Sequence, residues 1–176
     1  MANHFISIVC ASKNEENDIL KLCTSFSSQE YKNKELIIVD DSSDGTKVVV
    51  NEYIAEIEAK NIFFLEGFGE GCCPARNMGV NKAKGDIICY MTADSFFPNT
   101  GYLDHINDKF NLDIDSYMPN SLVSNQQDLY ADFIHCWQQQ KFKIRGYGYS
   151  PLTTQGYSVR KEAAIAVGLI DTIKDT

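Results

Sequence analysis

KELIIVDDSSDGT, Lys34 to Thr46, begins as an aliphatic run, breaks on two adjacent aspartates and a serine cluster, and leads into a segment carrying Val48, Val49, Tyr53 and Ile57. The pattern predicts a buried strand to Val39, a polar turn and then a helix. Apolar residues at every strand position mean burial on both faces, which is the habit of a parallel sheet. The flanking sequence repeats the unit. Upstream, FISIVCA (Phe5 to Ala11) is a continuous β-prone run, and in the following SKNEEN either Ser12 or Asn14 can cap a helix through about Ser25. Downstream, NIFFLE (Asn61 to Glu66) predicts a third strand, Pro74 to about Lys84 a helix closed by Gly85, and DIICYM (Asp86 to Met91) a fourth strand. The expected fold is α/β, with a mostly parallel central sheet covered by helices on both faces.

Ligands of such sheets collect outside the carboxyl ends of the strands. Those ends carry Ala11-Ser12-Lys13-Asn14, Asp40-Asp41-Ser42, Glu66 with a glycine loop, and Thr92-Ala93-Asp94-Ser95. Asp94 either holds a cation or simply ends its strand at the surface. Gly67, Gly69 and Gly71 fail the dinucleotide fingerprint, because Cys72 and Pro74 stand where its last glycine is needed, and the loop follows the third strand rather than the first. What remains is a loop running into Pro74, a favoured first helical residue, with Arg76 and Asn77 in the first turn. A helix N-terminus beside an arginine suits a diphosphate. Alternatively, Arg76 pairs with a surface acid while Ala75, Gly79 and Ala83 let the helix pack closely on the sheet.

The 176 residues, 44% hydrophobic and 23% charged, fit one globular domain, 1–176. Apolar runs such as Leu36 to Val39 and Ile87 to Met91 are too short to span a bilayer, and Phe5 to Ala11 reads as a strand rather than a leader. The expected compartment is the cytoplasm. Cys10, Cys23 and Cys89 lie in apolar periodic segments and read as small buried thiols; Cys72 and Cys73 are adjacent and lack zinc-ligand spacing. His4, His105 and His135 share no motif with them. A net charge of -8 argues against a nucleic-acid partner. Asp86 to Asp132 holds eight aspartates and one lysine, whereas Trp137 to Lys161 holds five basic residues and no acid. These are either two solvated faces or a cation site beside a segment that meets an anion.

Taken together, SIVCASKNEE, ELIIVDDSSDGT, GCCPARNMGVNKAKGDIICYMTADSFFP and GYSVRKEAAIAVGLID resemble the inverting family 2 glycosyltransferases of the GT-A fold, from about Phe5 to Asp171. The resemblance implies a Rossmann-like three-layer α/β/α sandwich, with a nucleotide-binding half at about 1–98 and an acceptor-side segment at about 99–176. It implies a nucleoside diphosphate sugar as donor, UDP-sugar favoured, and a glycan, lipid or protein acceptor, with peripheral membrane association possible for the parent protein. The loop Ala11, Ser12 to Asn14 and the second acid after the second strand, Asp41, would contact base and ribose, with Asp40 beside it in the nucleotide site. Arg76, Asn77 and Ala93 would lie near base and diphosphate. Asp94 matches the last acid of the family's D-x-D motif, which holds Mg²⁺ or Mn²⁺ against the diphosphate.

The sequence departs from that pattern twice. Thr92 replaces the first D-x-D acid, leaving Asp94 solitary, with Ser95 able to offer an oxygen through water. The family's general base follows the segment RKEAAIAVGLID, and this chain offers only Asp171, which closes that segment, and Asp175; the expectation is that the base is absent or that one of these two is recruited. Two other readings stay open: a nucleotide-sugar-binding domain without catalysis, and a nucleotidyltransferase. The latter needs a glycine-rich basic loop after the first strand, where ASKNEEND has no glycine and one lysine. In KFKIRGYGYSPLTTQGYSVRK, Phe142, Tyr147, Tyr149 and Tyr157 either stack on a sugar or pack as core. Leu129, Phe133, Ile134 and Trp137 have helical spacing, and Trp137 reads as core.

Overall fold

The computed structural model describes residues 2–118 and 156–166, and the expectations for Asp128 to Gln140, Phe142, Tyr147, Tyr149, Asp171 and Asp175 lie outside them. Four βα units come first: β1 (Ile6–Ser12) with α1 (Ile19–Ser27), β2 (Lys34–Asp40) with α2 (Thr46–Glu56), β3 (Ile62–Glu66) with α3 (Cys72–Lys82), and β4 (Ile87–Thr92) with α4 (Tyr102–Phe110). They are followed by β5 (Ser116–Tyr117), β6 (Ser158–Arg160) and α5 (Lys161–Ala166). The sheet order is β3-β2-β1-β4-β6-β5. β3, β2, β1 and β4 are parallel, and β6 runs antiparallel to both of its neighbours.

The alternation of side chains along each buried strand builds two cores. Ile6, Ile8 and Cys10 of β1, Leu36 and Ile38 of β2, and Ile87, Cys89 and Met91 of β4 face one side. There they meet Ile19, Leu22, Cys23 and Phe26 of α1, Val50 of α2 and Leu103, Ile106 and Phe110 of α4. Val9, Ile37, Val39, Ile88 and Tyr90 face the other side, against Ala75, Val80 and Ala83 of α3 and Ala164 of α5. Each such aliphatic or aromatic side chain contributes about 1.5–3 kcal/mol by leaving water. This is the three-layer sandwich expected from the strand pattern. The expected close packing of α3 is present too: a Cβ on Gly79 would meet Val9 Cγ1 at 2.5 Å.

Two helix starts differ from expectation. α1 begins at Ile19, not just after Ser12 or Asn14, because Asn14 takes a left-handed conformation (φ 59°) that no helix can continue. A turn closed by Asp18 N–H to the Glu15 carbonyl (3.0 Å) intervenes. α3 begins at Cys72, two residues before Pro74, after Gly71 at φ 99°. Pro74 therefore sits third in the helix, still within the first turn, where its missing N–H is not needed.

Two basic residues of the C-terminal segment act within the fold rather than on a ligand. Arg160 donates from Nε to the Ile114 carbonyl (3.0 Å) and from a terminal nitrogen to the Phe110 carbonyl at the end of α4 (2.9 Å). Lys161 Nζ donates to the carbonyl of Ala83, which caps α3 (2.5 Å). Cations there satisfy carbonyls left open at helix C-termini.

Candidate functional site

From β1 the chain moves to β2 and β3 on one side and then crosses through α3 to β4 on the other. The carboxyl ends of β1 and β4 therefore bracket a topological switch point, the place where open α/β sheets form their crevice. A cavity of about 310 Å³ opens there. It is lined by Ala11, Ser12, Lys13 and Glu15 after β1, Asp41 after β2, Gly71, Cys72 and Ala75 at the start of α3, and Thr92, Ala93 and Asp94 after β4. The sheet, not the local sequence, collects these segments, because β1 pairs with β2 on one edge and with β4 on the other, Ala11 lying opposite Thr92 and Ser12 opposite Asp40.

Ser12 lines the cavity and is 5% exposed, and its buried Oγ makes no hydrogen bond among the described residues. The Asp41 N–H donates to the Ser12 carbonyl (3.0 Å), and one Asp41 carboxylate oxygen accepts from the Gly69 N–H (2.8 Å). That bond ties the glycine loop to the cavity and leaves the second oxygen for a ligand. The first turn of α3 presents backbone N–H groups without intrahelical partners beside them. Asp94 is exposed in the cavity, while the Thr92 and Ser95 hydroxyls are hydrogen bonded to each other (2.6 Å).

Other residues picked from the sequence stand behind the cavity wall. The Asn14 N–H donates to Ser42 Oγ (2.6 Å), and its side-chain oxygen accepts from the Ser43 N–H (3.0 Å), which stitches the β1 and β2 loops together. The Asp40 carboxylate is turned onto Ser42, accepting from its hydroxyl (2.6 Å) and its N–H (3.2 Å). Glu66 pairs with the Lys47 ammonium, which holds its carboxyl below the usual range. Arg76 and Asn77 lie in α3 beyond the cavity lining; the guanidinium lowers the pKa of Cys10, Cys73 and Tyr90, opposing in each the larger effect of burial. Tyr157 stacks on Tyr90 with ring centroids 6.2 Å apart and 6° between planes, which makes it a core aromatic.

Glu15 was not picked out by the sequence. Burial pushes its carboxyl up, and the negative charges of Asp94, Asp18 and Asp44 push it further, which places Glu15 and Asp94 in electrostatic contact across the β1 and β4 ends. Its N–H donates to Thr46 Oγ (2.9 Å). Lys13 joins it in the lining and adds one cation to a wall carrying three carboxylates.

A mostly parallel sheet with a polar crevice at this switch point defines an open α/β fold built to hold a ligand at its strand ends, and comparison with known proteins gives the family. The chain belongs to glycosyl transferase family 2, whose sequence profile it matches over residues 7–158. An uncharacterized glycosyltransferase of Haemophilus influenzae is 32% identical over 119 residues, 67% of this chain and 44% of that protein. The Escherichia coli UDP-Glc:alpha-D-GlcNAc-diphosphoundecaprenol beta-1,3-glucosyltransferase WfaP is 33% identical over 96 residues, 54% of this chain and 37% of that protein. The mannosyltransferase PcManGT of Pyrobaculum calidifontis, solved with GDP-Man and Mn²⁺, shares the fold at a TM-score of 0.74 and 19% identity, covering 98% of this chain and 49% of that one. The chain thus spans less than half the length of these proteins.

Proposed function

We propose that this chain binds the donor of a glycosyl transfer, in which a sugar moves with inversion from a nucleoside diphosphate, UDP favoured, to an acceptor hydroxyl. The observation that carries this reading is the cavity at the switch point, where Ser12, Asp41 and Asp94 arrive from three strand ends. Asp41 accepts from the imide N–H of a uracil or thymine, where cytosine presents an unprotonated ring nitrogen. Ser12 and the backbone at Ala11 and Ala93 border the base and ribose. Asn14 and Asp40 act from behind, by holding the two loops in register. The first turn of α3 faces the diphosphate, with Arg76 and Asn77 adding polar groups from the same helix.

The donor set fits a hard divalent cation, Mg²⁺ or Mn²⁺, better than a closed protein cage. Among the described residues no group of three or more His, Cys, Asp or Glu side chains is placed to hold a metal. Asp94 offers carboxylate oxygen in the open cavity, and a cation that keeps several waters and shares phosphate oxygens needs one or two such ligands. When bound, the cation stabilises the negative charge of the departing nucleoside diphosphate. This chain's own residues orient the donor and set the local charge. Glu15 is the second carboxylate near that position, and a cation beside Asp94 favours its ionised form.

The candidates for the general base that takes the acceptor proton are Asp171 and Asp175; without one of them the chain is a donor-binding domain alone. The E. coli relative is named for a lipid-linked acceptor, which favours a lipid-borne sugar as acceptor over a free glycan or a protein. No helix among the described residues is long and apolar enough to cross a membrane.

A thermal-shift panel of uridine, guanosine, adenosine and thymidine diphosphates, each with Mn²⁺ or with chelator, tests the reading. A nucleotide at a hundred times its dissociation constant adds about 2.7 kcal/mol. That corresponds to a rise of about 5–10 °C for a chain of this size. UDP with Mn²⁺ is expected to give the largest rise. A flat response to every nucleotide contradicts the donor-binding reading.

A further inference from the structure

Cys72 and Cys73 open α3 and take no part in the donor contacts of Ser12, Asp41 and Asp94. Their sulfurs lie 3.9 Å apart. Cys72 is exposed and lines the cavity, and Cys73 is half-buried beside it. The other described cysteines, Cys10, Cys23 and Cys89, are completely buried. A disulfide between adjacent residues is strained, because disulfides usually join Cα atoms about 4.4–6.8 Å apart, whereas neighbouring residues hold theirs at about 3.8 Å. An ion shared between the two sulfurs fits. With metal–sulfur bonds of about 2.3 Å, the observed spacing closes a sulfur–metal–sulfur angle of about 116°, a few degrees from tetrahedral.

Adjacent cysteines lack the spacing of a closed four-ligand zinc site, and we propose instead that Cys72 and Cys73 form an open, two-thiolate chelate for soft, thiophilic cations such as Cd²⁺, seated on the wall of the donor cavity so that ion and nucleotide exclude each other. The ion displaces both thiol protons to solvent and forms two metal–sulfur bonds without any change of oxidation state. Water completes its coordination. Soft ions select thiolate while Mg²⁺ and Mn²⁺ select carboxylate and phosphate oxygen, so the two cation classes act on the cavity with opposite sign.

The exclusion rests on the donor-binding reading; the chelate does not, and the test separates them. Cd²⁺ is titrated into the full chain carrying Cys136→Ser, which removes the one cysteine of the sequence outside the described residues, with and without Cys73→Ser, while the ultraviolet thiolate-to-metal band and proton release are followed. The parent is expected to saturate at one Cd²⁺ per chain with two protons released, and Cys73→Ser to lose the band at an unaltered melting temperature. A band of equal amplitude in Cys73→Ser overturns the chelate. In the second arm UDP is titrated with Mn²⁺ present. Cd²⁺ at roughly ten times its own dissociation constant is expected to raise the apparent Kd for UDP about tenfold in the parent, the mass-action result for exclusive ligands, and to leave Cys73→Ser unaffected. An unchanged Kd with Cd²⁺ bound overturns the exclusion. Absence of any UDP binding before Cd²⁺ is added counts against the donor reading and leaves the first arm decisive.

Discussion

Asp41→Ala is expected to weaken both uridine and UDP binding by about tenfold to a hundredfold, because a hydrogen bond to a charged group contributes about 1.5–3 kcal/mol. The effect has two sources. The carboxylate oxygen facing the cavity is lost as an acceptor for the base, and the oxygen that holds the Gly69 N–H at 2.8 Å is lost as the tether of the glycine loop. Asp41→Asn separates them. Its amide oxygen can still accept from Gly69, but its NH₂ cannot accept from an imide. Calorimetry with uridine, which lacks the diphosphate, reads the base contact alone, and an unchanged uridine affinity in Asp41→Asn would remove Asp41 from base recognition.

Gly85→Ala carries the largest expected loss of stability. A Cβ there would meet the Phe5 carbonyl oxygen, Ser7 Oγ at 2.6 Å and Ser7 N at 2.8 Å, two of them backbone atoms at the entry of β1 that cannot rotate away. The clash also falls on a buried chain of hydrogen bonds. Gly85 N–H donates to Ser7 Oγ (2.8 Å), which donates to the Glu35 carboxylate (2.6 Å), and Lys84 N–H donates to the same carboxylate oxygen (2.6 Å). Overpacking costs about 1–3 kcal/mol, and unsatisfied buried groups cost about as much again. A total of about 2–5 kcal/mol lowers the melting temperature by roughly 5–15 °C. A melting temperature within a degree of wild type would show that β1 can shift freely at its entry.

The strands and the side of the sheet that carries the site were legible in the sequence for one reason: β1, β2 and β4 are buried on both faces, so each appears as an unbroken apolar run ending on polar residues. That pattern places Ser12, Asp41 and Asp94 at one edge before any pairing is known. It does not say which strands are neighbours. Glu15 was missed for this reason: within SKNEEN it looks like a solvated acid of a helix start, and only the pairing of β1 with β4 sets it near Asp94. Asp40 and Asp41 are indistinguishable by type and position. The turn decides between them, folding Asp40 back onto Ser42 and leaving Asp41 on the cavity. The start of α1 was misplaced because the positive φ of Asn14 arises from bonds to Ser42 and Ser43, 28 and 29 residues away.

The role of Asp94 as cation ligand is the centre of the proposed function, and calorimetric titration of UDP in Mn²⁺ and in chelator, for wild type and Asp94→Ala, tests it most directly. Mn²⁺ is expected to tighten UDP binding to the wild-type chain by roughly tenfold to a hundredfold, the range over which groups supporting a metal site act, and to leave Asp94→Ala unchanged. An equal Mn²⁺ enhancement in wild type and variant would contradict the assignment.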